Sequence, residues 1–189
     1  MTARSSTPTY LLVDGENLDG VLGSSILDRK PAPEERPRWD RLRDHVEGSA
    51  GGEVKSLFFI NASGQVPLPF VQALISLGFR PVLLKGAAGV KVVDIAIIRM
   101  LQAIAERGGN VALASHDGDF VGEVKHLIDV GASVSLLGFR EFFNADYRSL
   151  VESGAVQLID LEDDVKAFNV RLPRTRVIDI DEFDPMAYL

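Results

Sequence analysis

Four aspartates stand where apolar runs break off. Asp14 follows Thr9-Tyr10-Leu11-Leu12-Val13, Asp94 sits inside Lys91-Val92-Val93-Asp94-Ile95, and Asp117 and Asp119 follow Asn110-Val111-Ala112-Leu113-Ala114. Asn17, Ser115 and Lys91 accompany them. Carboxylates gathered on one partly buried edge repel each other and raise one another's pKa unless something positive sits between them. A hard divalent ion, Mg²⁺ or Mn²⁺, accepts oxygen ligands and meets that need. Such an ion orients and acidifies a water and stabilises charge on a scissile phosphate, so phosphodiester hydrolysis is the chemistry this set of residues suits. The chain has no cysteine, and His45, His116 and His126 do not fall at spacings that build a histidine site, so any metal is expected to be held by oxygen.

For these residues to meet, the chain must bring them to one edge. Short apolar runs at 10–13, 55–60, 80–84, 111–114, 133–137 and 156–159 alternate with amphipathic stretches at 39–47, 67–77, 92–107, 120–130 and 145–151. That alternation is the pattern of βαβ units around a buried parallel sheet. Gly78, Gly108-Gly109 and Gly131 stand where helices should end. In such sheets ligands bind outside the carboxyl ends of the strands. Asp14, Asp117 and Asp119 leave those ends, and Asp94 starts a helix at the same edge.

Each residue also has an ordinary structural role. Asp14-Gly15 makes a turn, Asn17 or Asp94 can cap a helix, and Ser115 or Asp117 can cap the helix after Phe120. Caps need one acceptor per helix, however, and Asp117-Gly118-Asp119 supplies two carboxylates around a glycine while Asp14 adds a third. Lys85 and Lys91 flank the Gly86-Ala87-Ala88-Gly89 loop at this edge. They are placed either to touch substrate phosphates as point charges or to relieve the carboxylates. Trp39 lies among Arg29, Lys30, Arg36, Arg38, Arg41 and Arg43, which fits a base stacked beside cations or a tryptophan anchoring a helix against the core. His116 is read as a solvent-facing turn residue, with proton transfer as the alternative. Phe58, Phe59, Phe70, Phe79, Phe120 and Phe139 are expected in the core, and Phe142, Phe143 and Tyr147 against the last helix.

Taken together, three ordered motifs resemble a known family. Asp14-Gly15-Glu16-Asn17 matches D-x-x-N, Lys91-Val92-Val93-Asp94 matches K-x-x-D before an apolar helix, and Ser115-His116-Asp117-Gly118-Asp119-Phe120 matches S-x-D-x-D-F. They look like the NYN domain, in the LabA-like branch of the PIN-like nucleases, over about residues 10–161. The resemblance implies an α/β, Rossmann-like (PIN-like) three-layer sandwich with a central, mostly parallel sheet and a metal-dependent ribonuclease site. Carried over, Asp14, Asp94, Asp117 and Asp119 are metal ligands, directly or through water. Asn17 orients a ligand, a water or a phosphate, Ser115 hydrogen-bonds a ligand carboxylate, and Mg²⁺ or Mn²⁺ is the cofactor.

Other readings compete with this one. A non-catalytic module that binds RNA or a protein is motivated by the net charge of −7, which disfavours a broad phosphate-binding surface. A Toprim-like phosphoryl-transfer enzyme would use Glu16 with Asp117 and Asp119 but gives no reason for Asp94 and Asn17. A haloacid-dehalogenase-like phosphatase needs an aspartate where Glu16 stands. The 189 residues, 46% of them hydrophobic, suit one domain over 9–161, with a flexible start at 1–8, a proline-rich loop at 29–38 and a tail at 162–189 packed on or extending from it. Residues 177–183 are expected to be extended. No secretory signal or membrane span is seen, so a cytoplasmic protein without membrane partners is expected, with RNA as partner and a homodimer compatible with the composition.

Overall fold

The computed structural model describes residues 7–174 and 180–188. Six strands form one sheet: β1 (Thr9–Asp14), β2 (Val54–Asn61), β3 (Arg80–Leu84), β4 (Asn110–Ala114), β5 (Val134–Gly138) and β6 (Val156–Asp160). Their order is β3-β2-β1-β4-β5-β6 and every pairing is parallel. Among the described residues the sheet is wholly parallel, as the expected α/β architecture with a parallel central sheet requires.

The helices are α1 (Gly15–Val21), α2 (Trp39–Ser49), α3 (Leu68–Ser76), α4 (Val92–Arg107), α5 (Val121–Asp129) and α6 (Arg148–Glu152). Strand side chains alternate between two cores, as a period of two requires. Leu11, Val13, Phe58, Ile60, Ala112 and Ala114 join one core with Leu18, Leu42 and Leu74 of α1, α2 and α3. Leu12, Phe59, Val111 and Leu113 join the other with Ile97, Leu101, Val124 and Leu127 of α4 and α5. Helices cover both faces, which is why the central strands are apolar throughout. In α4, Val93, Ile97, Leu101 and Ile104 recur at three to four residues and are all buried, each such side chain contributing about 1.5–3 kcal/mol of burial.

α4 is also where the chain changes sides. The connections β1 to β2 and β2 to β3 run over one face, and those after β3 run over the other. Strand order reverses between β1 and β4, and a crevice at their carboxyl ends is the geometric consequence.

Two segments depart from the sequence reading, 15–27 and 145–151. No amphipathic stretch is read at 15–27, yet α1 forms there and runs on into a π-helical turn, Leu22–Leu27, that stops at Asp28 in the left-handed conformation with φ 54°. Asp14, not Asn17, caps α1: its carboxylate accepts from the Asn17 backbone N–H. The expected helix at 145–151 is a 3₁₀ turn, Ala145–Tyr147, followed by α6. The proline-rich segment contains only the 3₁₀ turn Pro33–Glu35.

Beyond β6 the chain lies on the domain, with Val165, Ala167 and Leu172 buried in the first core. Of the stretch expected to be extended, 177–179 lies outside the described residues, and Ile180–Glu182 is a 3₁₀ turn instead. Most of the start expected to be flexible, 1–6, likewise lies outside them. Among the described residues no helix is long and apolar enough to cross a membrane.

Candidate metal centre

β1 and β4 run side by side with Val13 opposite Ala114, so the next residues out, Asp14 and Ser115, emerge together at the crevice. The Ser115 hydroxyl donates to Asp14 Oδ2 at 3.1 Å, and the Asn17 backbone N–H donates to Asp14 Oδ1 at 3.1 Å. Asp14 is 2% exposed. Burial, the largest influence, pushes its carboxyl up to about 6; those two hydrogen bonds oppose the rise, and the charges of Asp94 and Asp117 add to it.

Ser115 Oγ in turn accepts from the Asp117 backbone N–H at 3.2 Å. Asp117 then caps the 3₁₀ turn Gly118–Phe120, its Oδ1 accepting from the Asp119 N–H at 2.9 Å. A Cβ on Gly118 would meet the side-chain amide of Asn144, whose Oδ1 accepts from the Asp146 backbone N–H, so that amide would have to shift. Asp94 lies in the first turn of α4, where a carboxylate is favoured by the helix dipole, but Lys91 rather than Asp94 occupies the N-cap position.

Oxygens of Asp94, Asp117 and Asp119 all lie within 4.8 Å of one another. Asp14 is not part of that group of three but lines a cleft of about 240 Å³ with two of its members, Asp94 and Asp117, and with Glu16, Asn17, Asn61 and Lys91. Lys91 Nζ stands 3.2 Å from both Asp94 Oδ2 and Asp119 Oδ2, and its pKa is raised, chiefly by the hydrogen bond to Asp94 and then by that to Asp119. Lys85, exposed just past β3, is not among the residues lining the cleft. β3 is the edge strand, two positions away from β1.

His116 is not at the surface. It is 4% exposed, stacked at 5.6 Å on Phe139, with Nε2 accepting from the Phe139 backbone N–H at 2.7 Å. That bond leaves the proton on Nδ1, which lies 3.0 Å from Asn17 Oδ1; the His116 backbone N–H donates to the same oxygen at 2.9 Å. Desolvation lowers its pKa to about 4, so the ring is neutral at physiological pH. The turn signal around Asp117 concealed this role, because residues 139 and 17 are distant in sequence. His116 thus holds Asn17 by its carbonyl oxygen and leaves the amide N–H groups as that side chain's donors.

The supporting roles of Tyr147 and Asn61 escaped the sequence reading, and Glu16 entered it only in the Toprim-like alternative. The Tyr147 hydroxyl donates to the Asp117 carbonyl at 2.7 Å. Asn61 and Glu16 line the acidic cleft. A polar residue at the end of an apolar run was a usable signal for Asn61, whereas nothing local marks Tyr147. The arginines near Trp39 are mostly engaged within the protein: Arg29 with Glu35, Arg36 with Asp19, Arg38 with Asp40, Arg41 with the Lys166 carbonyl and Arg43 with Glu47. Trp39 anchors the start of α2, 6% exposed and edge-on to Phe58 at 4.9 Å.

A family model described as the NYN domain matches residues 8–160, most of the chain. The chain belongs to the NYN domain family. This family is a PIN-like nuclease family, and the NYN fold found here is shared with a solved structure. That structure is of a protein of unknown function, VPA0982, from Vibrio parahaemolyticus: it is 19% identical, the match covers 87% of this chain and 98% of that one, and the TM-score is 0.65. At this identity the likeness shows the fold alone. No curated protein matches the NYN chain.

The donor set of the NYN site fits a hard divalent ion. All its ligating atoms are carboxylate oxygens, and a cation, the Lys91 ammonium, already stands between two of them. The three oxygens, within 4.8 Å of one another, lie near the span of one coordination sphere, in which opposite oxygens around Mg²⁺ are about 4.2 Å apart.

Proposed function

We propose that this chain is a ribonuclease dependent on Mg²⁺ or Mn²⁺, hydrolysing RNA phosphodiester bonds at the carboxyl edge of the sheet. The observation that carries the reading is the convergence of Asp94, Asp117 and Asp119 beside Asp14, at the strand-order reversal of an NYN domain. Asp94, Asp117 and Asp119 hold the ion, with Asp14 next to them binding directly or through water. When bound, the ion supplies acidification of a water and charge stabilisation on the scissile phosphate.

The chain's own residues do the rest. Ser115 keeps Asp14 oriented by donating to one oxygen, while the first turn of α1 holds the other. Asn17, fixed by His116, presents its amide N–H groups for a phosphate oxygen or a water. Lys91, now paired with Asp94 and Asp119, would be free to bind a substrate phosphate when those carboxylates hold an ion. Lys85, further along the same edge, meets the phosphate backbone away from the cleavage point.

The test is cleavage of RNA by purified protein with Mn²⁺ or Mg²⁺, against Asp117→Asn and against chelator. Activity should be lost in both controls, and equal cleavage by wild type and variant would refute the proposal. One observation favours a second reading, a binding module without turnover: the Lys91 ammonium bridges two of the three carboxylates, as it would in a site that never holds metal. Calorimetric titration with Mn²⁺ separates the two, since the module reading requires no measurable binding.

A further inference from the structure

Charge is spread unevenly along this chain. None of its 27 acidic residues falls between Glu53 and Asp94, a span that holds Lys55, Arg80, Lys85 and Lys91. The span builds β2, α3, β3 and the loop into α4, which make up the β3 end of the sheet. Lys55 stands 3.8 Å from Glu53 and over the Tyr10 ring, and Lys91 is held by Asp94 and Asp119. Arg80 and Lys85 differ from these: both are exposed, and neither makes an ion pair among the described residues. They bracket the edge strand, Arg80 opening β3 and Lys85 following it, about 16 Å apart for five steps of a strand.

The surface between these two cations is uncharged. Leu83 pairs in register with Ile60, which belongs to the core under α3, so Leu83 points to the α3 face. It is 45% exposed there, α3 has no charged residue, and its Leu68 and Ile75 are 61% and 58% exposed. RNA brings a negative charge with each nucleotide, and a chain of net charge −7 repels it wherever acids dominate. The other ways out of the acidic cleft are less favourable. Glu16 stands at the start of α1, and the hollow between α5 and α6 sets Asp146 and Glu152 against Lys125 and Arg148. On the β3 side Lys91 lines the cleft itself, and Lys85 and Arg80 lie beyond it in a span without acids.

We propose that the RNA strand leaves the acidic cleft across the β3 edge, its phosphates meeting Lys85 and then Arg80 and its bases lying on the uncharged surface of Leu83 and α3. The inference rests on the ribonuclease reading for its substrate and adds the path of the strand. Bases that lie on side chains are not paired, so the RNA on this edge is single-stranded.

The test is the salt dependence of binding. A short labelled single-stranded RNA is titrated with the full chain in chelator, so that it is not cut, and its anisotropy is followed at several salt concentrations. Each phosphate contact should contribute about 0.7 to the slope of log affinity against log salt. Arg80→Gln and Lys85→Gln should therefore each lower the slope by about 0.7 and weaken binding about fivefold at about 0.1 M salt, and the double variant should lose both. Both replacements are at exposed positions, so folding is not at stake. Arg148→Gln, on α6 against β6 at the opposite edge, should leave the slope unchanged. No measurable binding, an unchanged slope in both β3 variants, or an equal loss in Arg148→Gln overturns the path. So does sedimentation in which the β3 variants break up a dimer while RNA binding is unchanged, which would assign this edge to a second copy of the chain. Cleavage by a protein whose β3 variants bind RNA normally would overturn the path and leave the ribonuclease standing, whereas the expected slopes in a protein that never cleaves would do the reverse.

Discussion

Asp14→Asn should make the metal-free protein more stable at neutral pH while abolishing its activity. Asp14 is buried, and its carboxyl pKa of about 6 in the fold compares with 3.8 for the ordinary group. A folded-state value raised by about two units means that ionised Asp14 opposes folding by about 3 kcal/mol. That opposition is absent below the unfolded pKa, grows as pH rises through the folded pKa, and is complete above it. Asparagine keeps the shape and carries no charge. Its oxygen still accepts from the Asn17 N–H, but its amide faces Ser115 Oγ, which must turn from donor to acceptor while still accepting from Asp117 N. That rearrangement offsets part of the gain, so about 1–3 kcal/mol of stabilisation is expected at pH 7.

Wild-type stability alone would hide the effect, because His116 works in the opposite sense. Its pKa falls from 6.5 to about 4, so its contribution is complete above the unfolded value and is lost as pH falls through the folded one. The two trends are of similar size and opposite slope between about pH 4 and 6. The assay is therefore the difference in urea unfolding between Asp14→Asn and wild type, with chelator, across that range. The variant's advantage should rise with pH and level off above about 6. In a melting experiment at neutral pH, each kcal/mol should appear as about 2–4 °C. A difference that does not change with pH, or a variant less stable at pH 7, would show that Asp14 is not a buried charge held at an energetic cost.

Two further outcomes follow from the same geometry. Lys91→Met should strengthen Mn²⁺ binding, by no more than about fivefold because the ammonium is exposed, and should raise the KM for RNA; weaker Mn²⁺ binding in calorimetry would mean that Lys91 does not compete with the ion. His116→Ala should cost about 2–4 kcal/mol in denaturant unfolding, through a cavity and an unpaired Phe139 N–H, and should lower kcat with little change in KM as Asn17 loses its anchor. Unchanged turnover in the folded fraction would remove His116 from the positioning of Asn17.

Much of the architecture was legible in the chain because it rests on local regularities. Apolar runs of four to six residues between amphipathic stretches state a parallel sheet with helices on both faces, and α4 was readable from end to end because Val93, Ile97, Leu101 and Ile104 form one stripe. The π-helical turn Leu22–Leu27 has no comparable local signature, and its formation depends on what it packs against. Asp14, Asp94, Asp117 and Asp119 could be singled out because polar residues interrupting buried runs demand an explanation, and their motifs identify the NYN domain.

What the sequence determined by itself was therefore the residue set and the edge on which it lies, since strand ends and helix starts follow from patterns a few residues long. The tertiary structure decided which members meet. Strand order alone puts β1 beside β4, so that Ser115 reaches Asp14 while Lys85, two strands away, stays outside the cleft. It also took His116 from an apparent surface turn into the interior, between Phe139 and Asn17. The physical reason is that a side chain's burial, protonation and partners depend on neighbours brought close by packing, 99 residues apart for His116 and Asn17, and no local pattern carries that information.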